Sequence, residues 1–338
     1  MNKRPFSTLH ISMMSLTAAT IAAFMALPAN VGAASTDESD ADNGSQQKAH
    51  AVMQPVINPR VPESMKFAGE HVDLKRADMF EKLDRELTSM AYTHGNTLLT
   101  IKRANRYFPV MAPILKRNGI SEDMLYLACI ESFLNPLAYS PAKAAGIWQF
   151  IPSTAKRYGL EVSDEVDERY DVEKETQAAC RYLKNSYNMY GNWESVASSY
   201  NGGTARITKE LGSQMADSAF DLYLVEETRR YPFRMMAMKL IMENPDDYGF
   251  TLTADQLYQP LEYTTEAVSG PVEDWPTWAR ERGITYAMLK EYNPWIRAKK
   301  LTNAAGKTYM VRIPVKESLQ RPSAHNAKTY NKHWVSKK

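Results

Sequence analysis

At 338 residues the chain is too long for one small core, and its length suggests about two domains. With 44% hydrophobic and 24% charged residues it has the make-up of an ordinary soluble protein, and a net charge of +2 gives no reason to expect nucleic acid as a partner. Two cysteines, Cys129 and Cys180, are too few for a disulfide framework or a four-thiolate zinc site. Whether they pair or sit apart as small buried hydrophobes is left open.

Residues 1–33 read as a secretory signal. Lys3 and Arg4 precede an apolar stretch from Ile11 to Pro28, and Val31-Gly32-Ala33 ends it with small residues. Ser12, Ser15, Thr17 and Thr20 dilute the stretch below what a membrane span needs, and no Cys follows for lipid attachment. An exported protein of the periplasm or cell envelope is expected, with peripheral membrane association left open. Residues 34–64 form a tether, whose first part is polar and lacks Phe, Tyr and Trp.

From Met79 to about Glu243 the pattern is helical nearly throughout, with Gly or Pro at the joints. Ser121 caps a helix that carries Glu122 and Asp123 in its first turn and is closed by Asn135-Pro136. Met124, Leu127, Ala128 and Glu131 share one face of it, which places a carboxylate on an apolar stripe. A second helix runs from Asp171 to Tyr190 with Gly191 as its stop, and a shorter one follows Asn192 to Tyr200 before Gly202-Gly203. The segment from Glu226 to Met242 is helical too, starting near Tyr231 or bending at Pro232.

After Tyr258 the texture changes. Tyr263 to Val268 and Lys307 to Pro314 read as strands, and Trp275 to Arg282 and Tyr286 to Tyr292 as short helices parted by Gly283. A β-α-α-β unit over residues 259–315 is small for independent folding and is expected to dock on the helical part, residues 65–258. Residues 316–338 form a basic tail, with Lys316, Arg321, Lys328, Lys332, Lys337 and Lys338 against Glu317, read as solvated.

The six histidines, at positions 10, 50, 71, 94, 325 and 333, leave Gly95 to Ala324 without one. A Ser-His-Asp triad, a Cys-His pair or an HExxH zinc helix inside that region is excluded, and neither GxGxxG nor GxxxxGK occurs. No metal and no cofactor is expected. The chemistry must rest on carboxylates, tyrosines, amides or hydroxyls. Burial disfavours the charged form of Glu131 and raises its pKa toward that of a general acid. Ala144 to Phe150 carries a glycine that permits close backbone approach, then presents Trp148 and Gln149 together. Amides and aromatics in a cleft suit neutral sugar rings. Tyr200-Asn201 at a helix end can reach across the same cleft.

In order, Glu131-Ser132-Phe133, Asn135-Pro136, Ser140, Gly146-Ile147-Trp148-Gln149-Phe150, Pro152-Ser153-Thr154-Ala155, Tyr158-Gly159-Leu160, Ser199-Tyr200-Asn201 and Glu227-Thr228-Arg229-Arg230-Tyr231 resemble the soluble lytic transglycosylase domain. That domain is similar to goose-type lysozyme, and the resemblance, over about residues 65 to 250, points to the membrane-bound lytic murein transglycosylase D group. It implies a mainly α, lysozyme-like catalytic domain acting as a monomer on peptidoglycan glycan strands. Glu131 would be the sole acid/base, protonating the bond between N-acetylmuramic acid and N-acetylglucosamine and then taking the proton of the muramyl C6 hydroxyl. The product would be a 1,6-anhydro sugar. Ser140 would orient the acetamido group, Gln149 would bind sugar, Tyr200 would steady Glu131 or the developing cation, and Asn201, Glu227 and Tyr231 would line the cleft. Trp148, Ser199 and Pro232 depart from the family pattern.

The end unit resembles a degenerate LysM glycan-binding repeat that lacks the opening Gly-Asp-Thr. Two other readings stand beside the lyase. One is a hydrolase on the same fold, with Asp164, Glu165, Asp167 or Glu168 as the second carboxylate; the other is a non-catalytic wall-binding protein.

Overall fold

The structure, a computed structural model, describes residues 58–336. The signal segment and residues 34–57 of the tether lie outside the described residues. The chain opens on an antiparallel hairpin of β1 (Ser64–Phe67) and β2 (Glu70–Asp73), with Ser64 opposite Asp73 and Phe67 opposite Glu70. Ala68 and Gly69 turn it with φ of 51° and 89°, the positive pair that fits the strand twist in a two-residue loop. Met65, Phe67 and Val72 enter the main core. The tether therefore gives way to packed structure before the expected boundary, since Pro59 is already buried.

Seven of the helices build the body: α1 (Ala77–Tyr92), α2 (His94–Arg117), α3 (Leu125–Ser132), α4 (Pro152–Arg157), α5 (Val172–Tyr190), α6 (Trp193–Gly202) and α7 (Thr204–Ser213). An eighth, α8 (Glu226–Glu243), packs against α1, α3 and α6, while α5 lies on α2. Asp171 caps α5 by accepting from the N–H of Glu173 and of Lys174, both at 3.1 Å, and Gly191 ends it with φ of 70°. Ser121 caps as expected, but the first turn, Glu122–Met124, is a 3-10 turn and α3 proper begins at Leu125. Helix α8 runs unbroken from Glu226 through Pro232. That proline forgoes the bond to Thr228 O, and burial of Thr228, Tyr231, Pro232 and Phe233 holds the turn together. Cys129 and Cys180 are both free and buried, so they form no disulfide.

The remaining unit has the expected order: β3 (Tyr263–Val268), α9 (Trp275–Glu281), α10 (Tyr286–Tyr292) and β4 (Tyr309–Pro314), with Tyr263 opposite Pro314 and Val268 opposite Tyr309. Its core of Val268, Trp275, Trp278, Leu289, Trp295 and Val311 is completed by Ala145, Val166 and Tyr170 from the helical part. Arg312 reaches Asp171 at 3.2 Å and Glu173 at 3.0 Å, and Lys307 reaches Glu161 at 2.7 Å. The unit is thus docked through shared core as well as charge.

The tail departs from its reading as a solvated segment. Trp334 is buried in the main core, its indole N–H donating to Met242 O at 2.6 Å and its ring 5.8 Å from Phe108, edge to face. Asn105 clasps the tail from α2, donating to Lys328 O at 3.0 Å and accepting from Tyr330 N at 2.7 Å. The apolar and hydrogen-bonding gain at two aromatic residues outweighs the solvation of the lysines, whose ammonium groups need not follow the backbone inward.

Candidate active site

Glu131 is the penultimate residue of α3, a helix whose Leu125, Leu127, Ala128, Cys129 and Ile130 are all buried. The backbone behind it is pinned. Phe133 and Leu134 take left-handed φ of 52° and 54°, a conformation that costs a side-chain-bearing residue roughly 1–2 kcal/mol each. Phe133 N closes the helix on Cys129 O at 2.9 Å, and Arg103 holds Phe133 O at 3.0 Å.

Glu131 is 8% exposed. Tyr231, from α8, donates its hydroxyl to Oε1; Oε2 has no protein partner among the described residues, and Glu131 forms no ion pair there. Oε2 is also absent from the wholly enclosed unpartnered atoms, so it keeps access to solvent. Burial pushes the carboxyl up from 4.5 to about 7; the Tyr231 hydrogen bond and the Arg234 charge pull it down, and Glu227 adds to the rise. The arrangement is that of a carboxylic acid kept protonated near neutrality with one oxygen open for proton transfer.

The loop from Ala144 to Phe150 is built around a second buried glutamate. Glu175 of α5 is fully buried and accepts from the N–H of Ile147 at 3.1 Å and of Trp148 at 3.0 Å. Gly146 makes this possible: at φ of 84° an added Cβ would lie 1.8 Å from Arg169 O and 2.4 Å from Glu175 Oε2. With their N–H groups turned to Glu175, the two carbonyls serve the site. Ile147 O accepts from Ser132 Oγ at 2.8 Å, beside Glu131, and Trp148 O accepts from Tyr200 at 2.7 Å. Arg169, paired with Asp167, braces the loop through Lys143 O at 2.7 Å and Phe150 O at 2.9 Å.

The sequence-predicted residues fall around this frame. The Tyr200 hydroxyl is spent on the loop, and the hydroxyl that reaches Glu131 is that of Tyr231. Gln149, at a left-handed φ of 52°, turns its amide back to Gly146 O at 2.8 Å and Ala138 O at 3.3 Å. Ser140 Oγ accepts from Ala144 N at 3.1 Å. Asn201 accepts from Thr228 at 2.8 Å and faces Glu227 at 3.5 Å. A cleft of about 320 Å³ lies beside the end of α3, lined by Phe133, Glu227, Arg230 and Arg234 among others; of the expected site residues Glu227 alone lines it. Of the alternative second carboxylates, Asp167 is paired with Arg169, Glu168 with Lys174, and Glu165 accepts from Thr302 N at 2.8 Å; Asp164 is exposed.

Glu175 was missed by sequence reasoning, although Ala178, Ala179 and Tyr182, its helical neighbours three, four and seven residues on, are as buried as it is. The helical period of these apolar neighbours could have found it.

Residues 110–222 match the family model described as the Transglycosylase SLT domain, and residues 264–317 match the Soluble lytic transglycosylase C-terminal LysM-like domain. The chain is 32% identical over 245 residues to the membrane-bound lytic murein transglycosylase D of Escherichia coli (strain K12), an alignment covering 71% of this chain and 52% of that protein. It is 35% identical over 86 residues to the membrane-bound lytic murein transglycosylase C of Haemophilus ducreyi, covering 22% of this chain and 23% of that one. The chain spans about half the length of the first of these relatives. Among solved structures, the 70 kDa soluble lytic transglycosylase of Escherichia coli is similar at a TM-score of 0.36 and 19% identity, over 48% of this chain and 30% of that chain.

Proposed function

We propose that this chain, which carries a Transglycosylase SLT domain and a LysM-like C-terminal domain, is a lytic transglycosylase that cuts peptidoglycan glycan strands at the bond between N-acetylmuramic acid and N-acetylglucosamine. Glu131 is the acid and then the base. It gives its proton to the glycosidic oxygen, and as carboxylate it accepts the proton of the muramyl C6 hydroxyl, whose oxygen closes on C1. The bond to the leaving sugar breaks, a 1,6-anhydro ring forms, and no water enters.

The observation that carries this reading is one buried glutamate, held at about 7, with one oxygen fixed by Tyr231 and the other open. An acid that must shed and regain a proton in a single turnover is served by a pKa near the working pH. A hydrolase of the common kind needs a second carboxylate across the bond, and three of the four candidates for it are engaged elsewhere. Ser140, Gln149, Asn201 and Glu227 are assigned to substrate binding, and Tyr200 to holding the loop that carries Gln149. The catalytic domain is taken as 65–258 and the LysM-like unit as 259–315. A cell-envelope location follows from the substrate and from the signal-like first 33 residues; no described helix is long and apolar enough to cross a membrane.

Digestion of purified sacculi followed by mass spectrometry tests the proposal. Muropeptides ending in 1,6-anhydro-muramic acid are expected from the parent. Glu131→Gln should release them about 100-fold to 10,000-fold more slowly, the range set by a lost general acid. Reducing muramic acid ends in place of anhydro ends, or undiminished lysis by Glu131→Gln, would refute it.

A further inference from the structure

The net charge of the chain is only +2, yet its cations are unevenly placed. No Asp or Glu occurs from Ser132 to Leu160 or from Thr176 to Trp193, stretches that supply α4 and most of α5. Where these helices meet, a cavity of about 470 Å³ is lined by Arg157, Tyr158, Gly159, Arg181, Lys184 and Asn185. Three of those six residues are cations and none is an acid. The cleft at the end of α3, by contrast, sets Glu86, Glu226 and Glu227 against Arg230 and Arg234.

Nothing neutralises this group. Arg157, Arg181 and Lys184 are exposed, and none of them forms an ion pair among the described residues. The negative end of the α4 dipole accounts for a cation at Arg157. It does not account for two more brought in from α5. Arg181 is fixed in place, its Nε donating to Tyr158 O at 3.1 Å and its Nη2 to the same carbonyl, with Nη1 left uncommitted. Asn185, on the same helix as Lys184, keeps an amide with no protein partner among the described residues. A concavity walled by one sign of charge concentrates ions of the other sign.

The donors narrow the ligand. Guanidinium and ammonium groups offer N–H and no acceptor, so the ligand must supply several acceptor oxygens and more than one negative charge. A phosphate group has both. A neutral sugar would compensate none of the positive charge, and a single carboxylate only part of it. We infer that the α4–α5 cavity is a binding site for a phosphate group, carried by a lipid headgroup or by a soluble phosphate. It shares no lining residue with the cleft beside α3 and is independent of the Glu131 chemistry. A lipid source would seat the helical body on an anionic membrane face, with about fivefold in affinity from each cation.

The full chain is titrated at low salt with inorganic pyrophosphate by calorimetry, beside the double variant Arg157→Ser/Lys184→Ser. Both side chains are exposed and make no hydrogen bond among the described residues, so the variant should keep the parent's thermal midpoint. Saturable binding is expected, weaker in the variant by about tenfold or more through the loss of two charge-assisted contacts. Flotation with vesicles identifies the source. Capture by phosphatidylcholine vesicles holding about 30% phosphatidylglycerol, but not by phosphatidylcholine alone, and lost in the variant, assigns the phosphate to a headgroup. Pyrophosphate binding without flotation assigns it to a soluble phosphate. Absence of both overturns the inference, as does binding that the double variant retains. Succinate that binds as tightly as pyrophosphate overturns the choice of phosphate over carboxylate.

Discussion

Replacing Glu131 by glutamine should make the protein more stable, and only at higher pH. In the fold the carboxyl is held at about 7 against 4.5 in the open chain. Below pH 4.5 both states carry the proton and nothing is lost. As pH rises from 4.5 to 7 the unfolded chain releases its proton while the fold retains it, so folding stability falls through this window and is level above it. At about 1.4 kcal/mol for each tenfold change in proton affinity, the loss is about 3 kcal/mol at pH 8. Glutamine has no proton to lose, and its Oε1 can still accept from Tyr231. Urea unfolding of both proteins at pH 4 and pH 8 measures the effect. The stability gap in favour of Glu131→Gln should widen by about 3 kcal/mol between the two values. Glu70, which burial and Glu194 also raise to about 7, titrates in both proteins and cancels. A gap that is the same at both pH values, or that narrows, would show that the fold does not strain to keep this acid neutral.

Tyr231→Phe removes the hydrogen bond that favours the ionised form of Glu131. The alkaline limb of kcat/KM, which reports loss of the Glu131 proton, should therefore move up from about 7 by about one to two pH units; a limb that stays or moves down contradicts the assignment. Trp334→Ala removes a ring buried against Phe108 and its bond to Met242 O. It should cost about 3–5 kcal/mol in urea unfolding, and a loss below about 1 kcal/mol, the scale of a surface change, would mean the tail is not part of the core.

The helices and strands were legible wherever local chemistry announces an end. Asp171 and Asn192 cap as their side chains allow, Gly191 takes the left-handed turn, and the β-α-α-β order of the end unit follows its proline and glycine punctuation. The opening hairpin was not legible, because its strands are four residues long and its turn is Ala-Gly rather than the Asn-Gly or Asp-Gly that usually marks one. Trp334 was hidden for a different reason: two aromatics among lysines, Tyr330 and Trp334, make no period, and only the groove between Phe108 and Met242 gives Trp334 a place. The Glu131 stripe could be read from spacing, but which tyrosine reaches it could not. Tyr200 and Tyr231 lie 69 and 100 residues away in sequence, and the choice between them is made by the crossing of α6 and α8.

The two buried glutamates show why burial alone does not make an acid catalytic. In both, burial raises the pKa. Both oxygens of Glu175 are engaged by backbone N–H groups of a loop that Gly146 presses against it. A proton gained or lost there changes the strength of the bonds to both loop N–H groups, so its exchange is coupled to structure. Glu131 has a single donor, on one oxygen, and its other oxygen can gain or lose a proton with the fold unchanged. Chemistry that passes one proton out and back within a turnover requires that freedom, and of this pair only Glu131 has it. Glu175 serves the same event by keeping the Ile147 carbonyl on Ser132, the residue after the acid, and the Trp148 carbonyl on Tyr200, which ties α3 and α6 to one loop.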